Sequence, residues 1–165
     1  MQQYHLNKIS PELGADISGI DLSKDFNEEI QNKIYDDLIN YKVLFFREQN
    51  ITPQFHVEFA KSFGSIEEPH PVYPNVEGFP EIVLLENDKD NPPDTDEWHT
   101  DVTFKNDPPF ASVLYSKTVP EVGGDTLWSS LSKIYDALPD ELKAQIENLR
   151  AIHDICLLYT SPSPR

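Results

Sequence analysis

The chain has 165 residues, with 13 Lys and Arg residues against 29 Asp and Glu residues, and its formal net charge is −16. This charge argues against nucleic-acid binding, which needs Lys and Arg to neutralise phosphates, and against binding to an anionic membrane surface. Apolar runs such as residues 43–46 are too short to cross a bilayer, and no signal peptide is visible at the N-terminus. We therefore predict one cytoplasmic domain with neither a membrane nor a nucleic-acid partner.

The first elements along the chain are predicted to be strands and a helix. Residues 5–22 mix short apolar stretches with glycines, which indicates a strand and a turn. Either Asp25 or Asn27 can cap a helix over residues 28–41, where apolar residues recur on one face. Residues 43–47 are β-branched and aromatic, which predicts a buried strand.

A second helix begins after the sequence Thr52-Pro53, an N-cap followed by proline at the first helical position. Gly64 is its predicted C-terminal stop. The aromatic residues on one face of this helix are Phe55, Phe59 and Phe63. Nine prolines between residues 69 and 120 exclude continuous helices from that stretch.

The later part of the chain predicts strands separated by loops, followed by two short helices. An acidic loop covers residues 87–97, and the predicted strands are 81–86, 110–118 and 125–128. Ser129 or Ser130 caps the first short helix, and Pro139 opens the second. Helices flanking a set of strands place the chain in the α+β class.

Residues 156–165 read CLLYTSPSPR and contain the only cysteine, which excludes an intramolecular disulfide framework. The stretch resembles the conceptual translation of a transposon-end adapter used in sequencing libraries. We therefore expect a non-native tail there and exclude it from fold reasoning, the alternative being a natural strand and tail. Residues 1–155 are then the N-terminal part of one truncated domain.

The sequence Trp98-His99-Thr100-Asp101 is the sharpest chemical feature. In an extended segment residues i and i+2 point to the same face, so the side chains of His99 and Asp101 converge. An imidazole and a carboxylate presented together are two thirds of the 2-His-1-carboxylate triad that holds non-haem Fe(II). The pattern also arises by chance, and the alternative is a solvated pair in a loop.

The surrounding motifs favour the metal interpretation, because together they resemble the taurine dioxygenase family of Fe(II)- and 2-oxoglutarate-dependent enzymes. The resemblance is collinear from about residue 13 to residue 154. The motifs that carry it are ISGIDL (17–22), ITP (51–53), HPVYP (70–74), NPPD (91–94), WHTDVTF (98–104) and GGDTLW (123–128). It implies a double-stranded β-helix, or jelly-roll, which is incomplete here and carries flanking helices.

The resemblance also implies roles for individual residues. His99 and Asp101 correspond to the first two iron ligands, and Thr126 corresponds to a hydroxyl that binds a carboxylate of 2-oxoglutarate. The positions around the sulfonate substrate correspond to His70, Tyr73 and Val102. His153 matches a non-ligand position. Each of these residues also has a simpler explanation. His70 could shape a loop, Tyr73 could be a core aromatic, and Thr126 could reflect strand propensity alone.

The implied function is hydroxylation of a small sulfonate, with taurine as first choice, which releases sulfite and uses Fe(II), 2-oxoglutarate and O2. Thr95 stands where taurine enzymes usually carry Asn, which leaves an alkyl sulfate or an aryloxy acid open as substrate. The family's third iron ligand and its substrate-binding arginines have no counterpart here, so we expect this chain to be inactive by itself. Two other hypotheses are left open: a non-catalytic fragment, and a binding module with an incidental HxD pattern. A homo-oligomer is also left open.

Overall fold

The computed structural model describes residues 4–69, 73–90 and 98–153. A three-stranded sheet is formed by β1 (His5–Lys8), β2 (Ala15–Ser18) and β3 (Leu44–Phe46), in that order. β1 and β2 pair antiparallel, with Leu6 opposite Ile17, and β2 and β3 pair parallel. A parallel pair needs a crossover, and two helices supply it here. Residues 5–22 therefore hold two strands where the sequence predicted one.

The crossover consists of α1 (Leu22–Asp25) and α2 (Glu28–Tyr41). The bounds of α2 match the predicted helix, and Asn27 is its cap, since its side chain accepts a hydrogen bond from the backbone N–H of Ile30 at 3.1 Å. The side chain of Asp25, the alternative cap, instead accepts from the backbone N–H of Asp21. The short helix α1 was not predicted, because four residues are too few to show a hydrophobic period.

The third helix, α3 (Pro53–Lys61), begins as predicted, with the Thr52 hydroxyl accepting from the backbone N–H of Phe55 at 3.1 Å. It ends at Lys61, and a turn continues the chain to the predicted stop at Gly64. Its aromatic face contacts Phe26, which lies 5.0 Å from Phe59 between ring centroids. This contact attaches α3 to the segment between α1 and α2.

The later elements are β4 (Asn75–Val76) and β5 (Phe79–Val83), which form an antiparallel pair, and the helices α4 (Leu131–Ala137) and α5 (Asp140–Ile146). The strand predicted at 81–86 is thus shifted toward the N-terminus. Ser130 caps α4, its hydroxyl accepting from the backbone N–H of Lys133. Both predicted short helices are present.

Two predicted strands are wrong: residues 110–118 and 125–128 are irregular. Their composition suits a pleated surface, but a strand exists only as part of a hydrogen-bonded ladder. Within the described residues, β4 pairs only with β5, and no strand lies beside either segment. The local pattern is therefore present without the partner that would make it a sheet.

The core lies entirely in the N-terminal part of the described chain. The buried hydrophobic side chains are Tyr4, Ala15, Ile17, Ile20, Leu22, Ile30, Ile34, Ile51, Val57 and Phe59. Beyond residue 97, the large hydrophobic side chains that are exposed include Trp98, Leu114, Leu127, Leu131, Ile134 and Leu149. Covering a side chain of this size is worth about 1.5–3 kcal/mol, so this part of the chain lacks most of its hydrophobic stabilisation.

The expected tail at residues 156–165, together with His70 and Thr95, lies outside the described residues. Across the part of the chain that the structure describes, no helix combines the length and the apolar character needed to cross a membrane.

Candidate functional site

The side chains of His99 and Asp101 lie together, as the sequence pattern predicted, with His99 Nε2 3.2 Å from Asp101 Oδ1. Both are accessible, with side-chain exposures of 49% and 58%. The segment is not extended throughout, because a turn over residues 101–104 begins at Asp101 itself. Val102 takes a φ of 54°, which is rare for a β-branched residue. The side chains of His99 and Asp101 therefore approach each other where the irregular residues 98–100 meet the turn.

The separation of this pair suits a shared metal ion. Two ligand atoms on adjacent corners of an octahedron, each about 2.1 Å from the ion, lie about 3.0 Å apart, close to the distance found. Imidazole nitrogen and carboxylate oxygen are also the donors that non-haem Fe(II) takes in a facial triad. Among the described residues no third His, Cys, Asp or Glu joins them. His99 and Asp101 thus fit two positions of such a site.

The other residues with implied roles are less clearly assembled. Tyr73 is half-buried just before β4, and Val102 is half-buried in the turn that Asp101 begins. Thr126 is exposed in an irregular segment, shortly after the two positive-φ glycines Gly123 and Gly124. Its hydroxyl makes no hydrogen bond to His99 or Asp101 in the part of the chain that the structure describes. The structure therefore brings together His99, Asp101 and Val102. Among the described residues, Thr126 takes no part in the hydrogen bonds of His99 and Asp101.

Sequence reasoning missed two neighbours of the site. The Ser112 hydroxyl donates to Asp101 Oδ2 at 3.3 Å, so the two carboxylate oxygens have different partners. His153, which the resemblance places at a non-ligand position, has Nδ1 2.9 Å from the Thr103 hydroxyl. Neither contact leaves a local signal in the sequence, because the partners are 11 and 50 positions apart.

Two grooves on the surface of the described residues lie away from this pair. A groove of about 390 Å³ is lined by residues near the end of β2 and around Arg47, and it includes neither His99 nor Asp101. The side chains of His99 and Asp101 are about half exposed on the surface of the described residues.

Comparison with known proteins assigns the chain to a family. Residues 5–156 match the model of the taurine catabolism dioxygenase TauD, TfdA family. An alkylsulfatase from Acinetobacter baylyi is 39% identical over 98% of this chain and 50% of its own length. An alpha-ketoglutarate-dependent sulfate ester dioxygenase from Pseudomonas putida is 36% identical over 96% of this chain and 52% of its own length. The chain therefore spans about half the length of the curated relatives it matches.

Solved structures of other proteins are similar to this chain in fold. The crystal structure of a taurine dioxygenase from Burkholderia xenovorans superposes with a TM-score of 0.73 at 35% identity, over 88% of this chain and 51% of that one. The structure of AAD-2 in complex with Mn(II) and N-oxalylglycine superposes with a TM-score of 0.68 at 23% identity, which shows the fold alone, over 96% of this chain and 55% of that one. These neighbours confirm the predicted α+β class with an incomplete jelly-roll. The chain belongs to the TauD, TfdA family of dioxygenases.

Proposed function

We propose that this chain supplies the first two metal ligands, His99 and Asp101, of an Fe(II)- and 2-oxoglutarate-dependent dioxygenase. The observation that carries the proposal is the 3.2 Å separation of His99 Nε2 and Asp101 Oδ1 in an accessible pair. That spacing fits two adjacent ligand positions around one ion, and family membership gives the ion its identity.

The residues around the pair have complementary roles in this proposal. When bound, iron supplies the activation of O2 and the removal of hydrogen from the substrate carbon. The imidazole of His99 and the carboxylate of Asp101 hold the ion and leave positions open for the co-substrate. The hydroxyl of Thr126 donates a hydrogen bond to a carboxylate of 2-oxoglutarate. The residues that contact the substrate in this proposal are His70, Tyr73 and Val102.

The proposed substrate is a small sulfur oxyanion, with taurine as first candidate. Hydroxylation replaces C–H by C–OH at the carbon next to the sulfonate, one oxygen atom of O2 entering the substrate and the other entering succinate as 2-oxoglutarate loses CO2. The hydroxylated product then breaks its C–S bond and gives an aldehyde and sulfite. The same chemistry on a sulfate ester breaks a C–O bond and gives an aldehyde and sulfate.

An alkyl sulfate is the second candidate, because the alkylsulfatase and the sulfate ester dioxygenase are 39% and 36% identical to this chain. An aryloxy acid has weaker support, from a (S)-phenoxypropionate/alpha-ketoglutarate-dioxygenase of Sphingobium herbicidovorans that is 28% identical. The released anion distinguishes the first two candidates.

The test is an assay of the gene product that contains this chain, with Fe(II), 2-oxoglutarate and either taurine or a medium-chain alkyl sulfate. We expect succinate formation coupled to one substrate, and its loss in His99→Ala and in Asp101→Ala. The matched control is Asp107→Ala, which removes an exposed carboxylate from the same segment and should leave turnover unchanged.

Two results would contradict the proposal in different ways. Turnover that survives His99→Ala and Asp101→Ala would remove the metal assignment. Coupled turnover with an aryloxy acid alone, and none with either sulfur compound, would keep the metal assignment and overturn the substrate class.

A further inference from the structure

The turn that begins at Asp101 is strained, and residues distant in sequence contact it. Val102 adopts a φ of 54°, a conformation that costs free energy for a β-branched side chain and persists only where the surroundings enforce it. The Thr103 hydroxyl lies 2.9 Å from His153 Nδ1, and Lys105 forms an ion pair with Glu67. Strain of this kind clusters at sites whose geometry matters for function.

A second segment, residues 112–115, contacts both Asp101 and the N-terminal region. Val113 packs against the core, and its carbonyl oxygen lies 2.9 Å from His56 Nε2 on α3. Two residues later, the Tyr115 hydroxyl donates to the carbonyl oxygen of Gln49 at 3.2 Å. These contacts fix residues 113 and 115, just after Ser112, against the N-terminal region. Ser112 is thereby held within reach of Asp101 by contacts that it does not make itself.

We propose that Ser112 is a positioning residue that fixes the orientation of the Asp101 carboxylate. Its hydroxyl donates to Oδ2 at 3.3 Å, while Oδ1 lies 3.2 Å from His99 Nε2. The side chain of Asp101 is exposed, and the last torsion of an Asp side chain has a broad energy profile. Without the hydroxyl, the exposed side chain of Asp101 is free to change its χ1 rotamer, either oxygen can turn toward His99, and the carboxylate exchanges Ser112 for water.

The effect on a metal site follows from this geometry. The inference rests on the proposed function, in which Asp101 is a metal ligand. Carboxylates that bind metals are themselves hydrogen-bonded, and removing such an outer partner weakens metal affinity by about 10- to 100-fold. Because this hydrogen bond is long and exposed, we expect the lower end of that range for Ser112.

The first experiment measures Asp101 directly in the metal-free gene product that contains this chain. Nuclear magnetic resonance couplings between its Hα and Hβ protons report whether the side chain occupies one χ1 rotamer. We expect one rotamer in the unsubstituted chain, averaged couplings in Ser112→Ala, and rescue by Ser112→Thr, which keeps the hydroxyl. Ser116→Ala, which removes an exposed hydroxyl further along the same segment, is the control.

The second experiment titrates the same proteins with Mn2+ and follows the paramagnetic broadening of amide signals in residues 98–104. We expect Ser112→Ala to weaken the apparent affinity by about tenfold, with Ser112→Thr and Ser116→Ala close to the unsubstituted chain. Rotamer and affinity unchanged in Ser112→Ala would overturn the positioning role and leave the metal proposal standing. A fixed Asp101 that depends on Ser112, in a gene product that does not bind Mn2+, would contradict the metal proposal alone.

Discussion

The N-terminal region of the chain, residues 4–59, and the later region, residues 98–153, differ in what covers their apolar side chains. All ten buried hydrophobic side chains among the described residues lie in the first region. In the second, the one buried side chain that the structure describes is the polar Ser130. The two regions have similar local signals for helices and strands, so the difference lies in packing.

Helices α2 and α4 show the difference most clearly. Each has a side-chain N-cap, Asn27 in one and Ser130 in the other, and each carries an apolar face. Helix α2 buries Ile30 and Ile34, whereas α4 leaves the apolar side chains Leu131, Ile134 and Tyr135 exposed. Caps and periodicity thus predict where a helix lies, but its stabilisation requires a partner surface.

The largest expected effect comes from the core of the N-terminal region. Ile34 is 3% exposed on α2, and Ile39, on the same helix, is 44% exposed. We expect Ile34→Ala to lower the free energy of unfolding by about 2–5 kcal/mol, because it removes buried methylene groups and leaves a cavity. The control Ile39→Ala should change it by about 0.5 kcal/mol or less. Urea unfolding followed by circular dichroism measures both, and equal losses would show that this region has no more of a packed core than the later one.

A smaller effect is expected at Tyr4, a buried residue whose hydroxyl donates to Asp37 Oδ2 at 2.6 Å. Lys33 also binds this carboxylate, at 2.7 Å. Tyr4→Phe removes a hydrogen bond to a charged group, and we expect a loss of about 1.5–3 kcal/mol. The control is Tyr35→Phe, which changes a half-exposed ring whose contact is a stack on Phe110. A loss no larger than the control's would show that the Tyr4 hydroxyl does not stabilise this region.

The same residue gives a pH dependence. Burial, followed by the hydrogen bond to Asp37 and the charges of Asp37 and Asp36, raises the pKa of the Tyr4 hydroxyl above its ordinary value. A raised pKa in the folded state contributes stability that is complete below the unfolded value of about 10 and is lost as the pH rises above it. We therefore expect unfolding free energy to fall more steeply above that pH in the unsubstituted chain than in Tyr4→Phe. Parallel profiles would contradict this assignment.

The smallest effect should appear where the later region attaches to the first. The Tyr115 hydroxyl donates to the carbonyl oxygen of Gln49 at 3.2 Å. Tyr115→Phe should cost about 0.5–1.5 kcal/mol and increase amide hydrogen exchange around residues 110–116. Tyr135→Phe, on the exposed face of α4, should alter neither quantity. Unchanged exchange in Tyr115→Phe would mean that the segment is held by its other contacts, the apolar packing of Val113 and the contact of its carbonyl oxygen with His56.

Local chemistry made much of the N-terminal region predictable from the sequence. The bounds of α2, the Thr52-Pro53 start of α3 and the strand at residues 44–46 all follow from caps, proline geometry and residue type. The approach of His99 and Asp101 is local as well, since the two residues are separated by one position. These features involve residues close in sequence, so no knowledge of the remaining chain is needed to anticipate them.

Only the tertiary structure decided the features that depend on residues far apart in sequence, such as strand pairing and the contacts around the site. Residues 110–118 have strand composition, yet they are irregular because the described residues provide no neighbouring strand. The contacts of Ser112 with Asp101 and of His153 with Thr103 join positions 11 and 50 residues apart. Pairing, burial and contacts around a site depend on where separate segments meet in space, and composition and periodicity do not record that position.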